Sequence, residues 1–174
     1  MAMELKKPVL QIAGYSNSGK TTLVCRLIEE ASKKGWAAGT LKHHGHGGTP
    51  LIIDDQKDSG RHREAGAAVT GVEGGGTFTF TAQKREWSLS EMLSFYEKME
   101  IDLILVEGFK TADLPKIVMV KEKDHLSLLE ELTNIQAVIS YFPFKSSGKY
   151  PVFLIEEEER YIPWFTEYIS GVIE

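Results

Sequence analysis

The sequence contains one cysteine, Cys25, so no disulfide within the chain can staple the fold, and a reducing compartment is expected. No run approaches the roughly 20 consecutive apolar residues that a membrane-spanning helix needs, and no membrane partner is expected. Positive charge is not in excess. The 20 Lys and Arg residues against 25 Asp and Glu leave a net charge of −5, which argues against a broad electrostatic grip on nucleic acid. Met1 to Pro8 lacks the apolar core of a signal peptide, so the expected setting is the cytoplasm. With 16 Gly and 6 Pro the chain resembles neither collagen nor a disordered low-complexity polymer, and no internal repeat divides it.

What is present is the pattern of a globular chain. A hydrophobic fraction of 42% over 174 positions suits one domain covering 1–174. Val9 to Ala13 reads as a buried strand. Lys20 to Lys34 follows with helical spacing, Leu23, Leu27 and Ile28 sharing one face and Gly35 ending the helix. Trp36 to Lys42 reads as the next strand, His43 to Pro50 as a loop and Leu51 to Ile53 as a short strand. A weak helix lies within Asp55 to Ala65, with Asp58 or Ser59 as its start signal. Ala67 to Val72 and Thr77 to Ala82 flank Glu73-Gly74-Gly75-Gly76 as a hairpin. Ser88-x-x-Glu91 reads as a capping box opening a helix through Met99. Strands are expected at Ile101 to Val106, Lys116 to Lys121, Ile135 to Tyr141 and Pro151 to Ile155, with helices over Leu126 to Leu132 and Tyr161 to Val172. Alternating strands and helices predict an α/β three-layer fold of the P-loop NTPase type, with a mostly parallel sheet and an added antiparallel β-hairpin.

The strongest chemical signal is Gly14-Tyr15-Ser16-Asn17-Ser18-Gly19-Lys20-Thr21, which fits G-x-x-x-x-G-K-[ST] at every defined position. Gly14 and Gly19 let the backbone wrap an anion in conformations that a side chain would obstruct. Successive N–H groups and the positive end of the following helix then face the phosphates, joined by the first-turn Thr22. Lys20 would place a cation on the β- and γ-phosphates, and the Thr21 hydroxyl suits Mg²⁺. Glu107 closes the apolar run Ile101 to Val106 at the carboxyl end, where ligands sit in open α/β sheets. A carboxylate there suits Mg²⁺ or the orientation of an attacking water. Asp102, at the start of that segment, reads as a solvated residue.

These motifs occur in a distinctive order. After the glycine-rich loop come Thr40-Leu41-Lys42-His43-His44, then Lys57-Asp58-Ser59-Gly60-Arg61-His62-Arg63-Glu64-Ala65-Gly66-Ala67, then Val106-Glu107-Gly108-Phe109-Lys110 with Pro115-Lys116. The set resembles the molybdopterin-guanine dinucleotide biosynthesis protein B family (MobB) over roughly the first two-thirds of the chain. That resemblance implies a GTP-binding accessory protein with weak GTPase activity in molybdenum cofactor maturation, using GTP and Mg²⁺. It also implies a partner, the guanylyltransferase that attaches GMP to molybdopterin, and a homodimer. The Val69 to Ala82 hairpin is the candidate contact, an ordinary exposed hairpin being the alternative.

Several residues stay open between two readings. Lys42, His43, His44 and His46 suit phosphate or pterin contacts better than a structural zinc, since no Cys accompanies them; a plain polar loop is the alternative. Asp54 and Asp55 suit either the Mg²⁺ shell or a helix N-terminal charge. Asp58, Arg61 and Arg63 suit a clamp on the phosphate of a second ligand such as molybdopterin, or plain solvation. Lys110 is expected to flank the same cleft. Lys121-Glu122-Lys123-Asp124 lacks the Asn and the spacing of a guanine-reading motif, so the preference for GTP over ATP comes from the resemblance. A small-molecule kinase is the alternative function, weakened by the absence of Arg between Glu107 and Arg160, where a lid would lie. A binding scaffold without turnover is the third.

Overall fold

Segments such as Val9-Leu10-Gln11-Ile12-Ala13 and Leu103-Ile104-Leu105-Val106 have no continuous polar face, and such strands need a packed layer on each side. The computed structural model, which describes residues 6–45 and 57–173, supplies both layers. In chain order the elements are β1 (Val9–Ala13), α1 (Lys20–Lys33), β2 (Ala38–Lys42), α2 (Asp58–Glu64), β3 (Val69–Gly74), β4 (Thr77–Ala82) and α3 (Leu89–Tyr96). There follow β5 (Leu103–Glu107), β6 (Lys116–Val120), a 3₁₀ turn (Lys123–Ser127), α4 (Leu128–Glu131), β7 (Ile135–Ser140), β8 (Val152–Leu154) and α5 (Glu158–Ile173). Two compact units divide the chain: Met1–Gly45 with Ser94–Glu174, and His46–Leu93.

In the larger unit six strands form one sheet in the order β2-β5-β1-β6-β7-β8, and every pairing is parallel. Side chains alternate across it. Leu10, Ile12, Leu105 and Met119 enter one core with Leu27 of α1 and Phe165 of α5. Val118, Val120 and Val138 belong to a second core with Leu128 of α4. The expected three-layer α/β arrangement is present. Strand order, which the sequence leaves open, puts β1 between β5 and β6. The chain leaves β1 toward β2 on one side and later returns through β5 to β6 on the other. The loop after β1 therefore emerges at the point where such sheets bind ligands, beside the carboxyl ends of both neighbours.

Element boundaries shift for identifiable reasons. β2 begins at Ala38 rather than Trp36, because Gly35 and Trp36 donate their N–H groups back to Ser32 and Ala31 and finish α1. α5 begins at Glu158, earlier than the expected Tyr161: Glu157 accepts the Leu154 N–H at 2.8 Å through Oε2, and its carbonyl accepts the Tyr161 N–H at 3.2 Å. Asp102 is not merely solvated: its Oδ2 accepts the Ala37 N–H at 2.7 Å, stitching the starts of β2 and β5. The expected strand at Leu51 to Ile53, the carboxylates Asp54 and Asp55, and His46 lie outside the described residues.

In the smaller unit β3 and β4 pair antiparallel from Val69↔Ala82 to Gly74↔Thr77. Glu73 and Gly74 thus belong to the ladder, and the turn shrinks to Gly75-Gly76, both at positive φ, the two-residue connection that matches strand twist. Phe78 and Phe80 of β4 stack at 6.4 Å, with Phe78 67% exposed. The capping box forms as expected. Glu91 accepts the Ser88 N–H at 2.9 Å, and the Ser88 hydroxyl accepts the Glu91 N–H at 3.2 Å.

Ser88→Ala should lower stability by about 1 kcal/mol, read as a lower urea midpoint at unchanged slope. Hydrogen bonds from Lys84 and then Ser88 hold the Glu91 carboxyl at about 2. A depressed carboxyl pKa stabilises the fold above its ordinary value of 4.5, and that contribution is lost as pH falls toward 2. The stability difference between the wild type and Glu91→Gln should therefore shrink over that window in acid titrations followed by circular dichroism.

Candidate functional site

The loop between β1 and α1 is shaped by what glycine permits. A Cβ on Gly14 would lie 2.8 Å from Ser18 Oγ and 3.0 Å from the Met119 carbonyl oxygen. On Gly19, at φ 89°, it would lie 2.6 Å from the Tyr141 hydroxyl. Asn17 also takes a left-handed conformation, at φ 59°. Beyond the loop α1 opens without a side-chain cap, so its first N–H groups have neither helical partners nor a capping oxygen. Such an end attracts anions through its amides and its dipole. Ser18 is buried, and its hydroxyl has no hydrogen-bond partner. Tyr15, Ser16 and Asn17 are exposed on the outer side of the turn, and Thr22 is exposed in the first turn of α1.

Lysines surround this loop. Lys20 Nζ donates to the Tyr15 carbonyl at 2.6 Å, and Lys121 Nζ donates to the Asn17 carbonyl at 3.0 Å. Lys110 Nζ lies 4.2 Å from the centre of the Tyr15 ring, which also contacts the His125 ring at 4.6 Å. Burial pushes the Lys20 ammonium below the ordinary lysine value; Glu107 opposes that shift, while Lys42 and Lys110 add to it.

Beside the loop stands a tight cluster of oxygens. The Thr21 hydroxyl lies 2.9 and 3.0 Å from the two carboxylate oxygens of Glu107, donating its hydrogen to them. Parallel pairing of β2 with β5 brings Lys42 level with Glu107, and Lys42 Nζ lies 2.9 Å from Glu107 Oε1. The same ammonium donates to Thr21 Oγ1 at 3.0 Å. Glu107 is buried, so its charge needs such partners. The chain just after Glu107 is fixed from β1: the Gln11 side-chain amide donates to the Gly108 carbonyl at 2.6 Å and the Phe109 carbonyl at 2.7 Å. Phe109 is held at φ 51°, unusual for a bulky residue, and its ring meets His43 at 4.7 Å.

A hard divalent cation takes oxygen ligands. The Thr21 hydroxyl and the Glu107 carboxylate are such a set, and a positive group already rests on them, so the residues present fit Mg²⁺. The structure therefore brings Lys20, Thr21, Glu107, Lys42 and Lys110 to one edge of the sheet. His43 lies against Phe109, and His44 is exposed nearby in sequence. Asp58, Arg61 and Arg63 belong to the smaller unit, where Arg61 lies 3.8 Å from Asp58 and Arg63 donates to the Thr70 hydroxyl at 2.9 Å. Two participants escape the sequence reading. Lys121 reads in the sequence only as the end of a strand that opens a run of charged residues. Gln11 carried a signal, being the one polar residue in a strand otherwise apolar on both faces.

The chain is similar to known proteins over most of its length. The family model described as Molybdopterin guanine dinucleotide synthesis protein B matches residues 9–141. A Bacillus subtilis relative, named a probable molybdopterin-guanine dinucleotide biosynthesis adapter protein, is 45% identical over 139 residues, spanning 80% of this chain and 79% of its own. An Escherichia coli molybdopterin-guanine dinucleotide biosynthesis adapter protein is 36% identical over 126 residues, 70% of each chain. The crystal structure of Bacillus subtilis MobB superposes with a TM-score of 0.78 at 37% identity, covering 96% of this chain and 98% of that one. With the family model matched over residues 9–141, relatives 45% and 36% identical and the fold shared over most of its length, the chain belongs to the MobB family.

Proposed function

We propose that this chain serves molybdopterin-guanine dinucleotide biosynthesis as an adapter that binds GTP with Mg²⁺ at the Gly14–Thr21 loop and hydrolyses it slowly. The observation that carries the reading is the loop itself. Two glycines are required by space and backbone, an uncapped helix end follows, and the buried Ser18 hydroxyl lacks a partner. A phosphate answers the last two, and the glycines give the loop the backbone shape to receive it. The adapter role follows the names borne by the Bacillus subtilis and Escherichia coli relatives.

In this reading the loop amides of residues 15–20 and the amino end of α1 orient the phosphates. Lys20 exchanges its bond to the Tyr15 carbonyl for a phosphate oxygen and neutralises charge there. Thr21 and Glu107 would hold the magnesium ion, which when bound supplies neutralising charge to the phosphates. Lys110 and the His43–Phe109 pair supply cationic and aromatic surface beside the loop for a second ligand, molybdopterin or its phosphate; Arg61 and Arg63 are the candidates for that role in the smaller unit. The guanylyltransferase is the proposed protein partner. The exposed Phe78 and Phe80 of the hairpin support a homodimer formed through that strand pair.

Calorimetric titration of GTP and ATP, with and without Mg²⁺, tests the phosphate site. Lys20→Ala should weaken GTP binding about tenfold to a hundredfold, the worth of a charge-assisted bond to an anion. Gly19→Ala should weaken it as well, because a Cβ would meet Tyr141. Unchanged binding of both triphosphates by Lys20→Ala would remove the site. Single-turnover assays with γ-labelled GTP should release label as inorganic phosphate; label arriving on molybdopterin would establish a kinase instead.

A further inference from the structure

Lys42 occupies an unusual place for a residue at the end of an edge strand. Its side chain is 57% exposed and free to extend into solvent, as the entropy of a long chain favours. Instead it folds inward, and its ammonium sits 2.9 Å from Glu107 Oε1 and 3.0 Å from Thr21 Oγ1. Those are the oxygens suited to a divalent cation. Mg²⁺ requires oxygen ligands at about 2.0–2.1 Å, so an ion bound to this pair and an ammonium in hydrogen-bond contact with both cannot share the space. Their charges would also repel at short range in a partly desolvated setting.

We infer that Lys42 is a built-in stand-in for the metal: its ammonium satisfies the buried Glu107 carboxylate and the Thr21 hydroxyl, and a divalent cation binds only by displacing it. The inference rests on the proposal that Thr21 and Glu107 hold Mg²⁺. The β2–β5 register explains why Lys42 holds this place, since it pairs with Glu107 across the ladder. Backbone pairing continues one residue further, with the His43 N–H donating to the Glu107 carbonyl at 2.9 Å. The side chain can therefore swing away while the strand stays in register. Lys20 does not fill this place in the structure: its ammonium donates to the Tyr15 carbonyl at 2.6 Å instead.

The consequence is a lowered apparent affinity for the metal. A site held in its competing arrangement about nine-tenths of the time binds its ligand about tenfold more weakly. Lys42→Gln removes the competing charge, and Lys42→Arg keeps it. In Mg²⁺ titrations at fixed GTP, Lys42→Gln should reach half-maximal tightening at about a tenth of the wild-type Mg²⁺ concentration, while Lys42→Arg stays near wild type. Manganese binding to the protein alone, followed by electron paramagnetic resonance, should show the same order without any nucleotide, and Glu107→Gln added to Lys42→Gln should abolish the gain. Circular dichroism confirms that each variant is folded. A Lys42→Gln metal requirement equal to or higher than wild type, or a Lys42→Arg protein that behaves like Lys42→Gln, would overturn the inference. Failure of the wild type to bind GTP would instead defeat the nucleotide reading, and the manganese titration would still decide the role of Lys42.

Discussion

The structure around the site depends on one constraint: Glu107 is buried at the end of a core strand, and its charge must be met. A buried carboxylate stripped of its partners costs several kcal/mol, so the elements that supply those partners are held to it. Thr21 links it to the first turn of α1, and Lys42 links it to the end of β2. The neighbouring Gly108 N–H donates to the Ile12 carbonyl at 3.1 Å, joining the same point to β1. Two elements thus meet on the Glu107 side chain and a third on the backbone next to it, and the glycine-rich loop is spanned between β1 and α1.

This arrangement gives the edge of the sheet two kinds of surface. The loop offers main-chain amides whose positions are set by Gly14 and Gly19, with Tyr141 and Met119 packed close behind. Around it stand the long lysine side chains, each resting on an acceptor of the protein itself: Lys20 on the Tyr15 carbonyl, Lys121 on the Asn17 carbonyl and Lys42 on Glu107. The amides are fixed in place, whereas the ammonium groups can trade one oxygen for another. A polyanion arriving here meets a rigid frame with adaptable charges, a division of labour that suits recognition of phosphate followed by adjustment.

Much of this was readable in the sequence because it is local. The loop chemistry is written in eight consecutive positions, Glu107 lies at the end of a continuous apolar run, and the Ser88–Glu91 cap needs only three-residue spacing. What was not readable is non-local. All the core strands are similarly apolar, so nothing in them orders the sheet, and only the order and register set Lys42 beside Glu107. Lys121 likewise reaches Asn17 because β6 lies next to β1. Boundary shifts at β2 and α5 arose where hydrogen bonds, rather than apolar spacing, decide where an element begins.

Gln11 carries a cost that clarifies what the core is for. Its amide nitrogen holds two consecutive carbonyls, yet its own oxygen is buried with no acceptor role fulfilled. Replacing it with leucine would remove that unsatisfied atom but leave the Gly108 and Phe109 carbonyls without their donor. The left-handed bend at Phe109 would then lose its anchors, and the carboxylate two residues before it would lose its aim. The hydrophobic interior of this molecule has kept a flaw in its packing chemistry so that its rim keeps its shape.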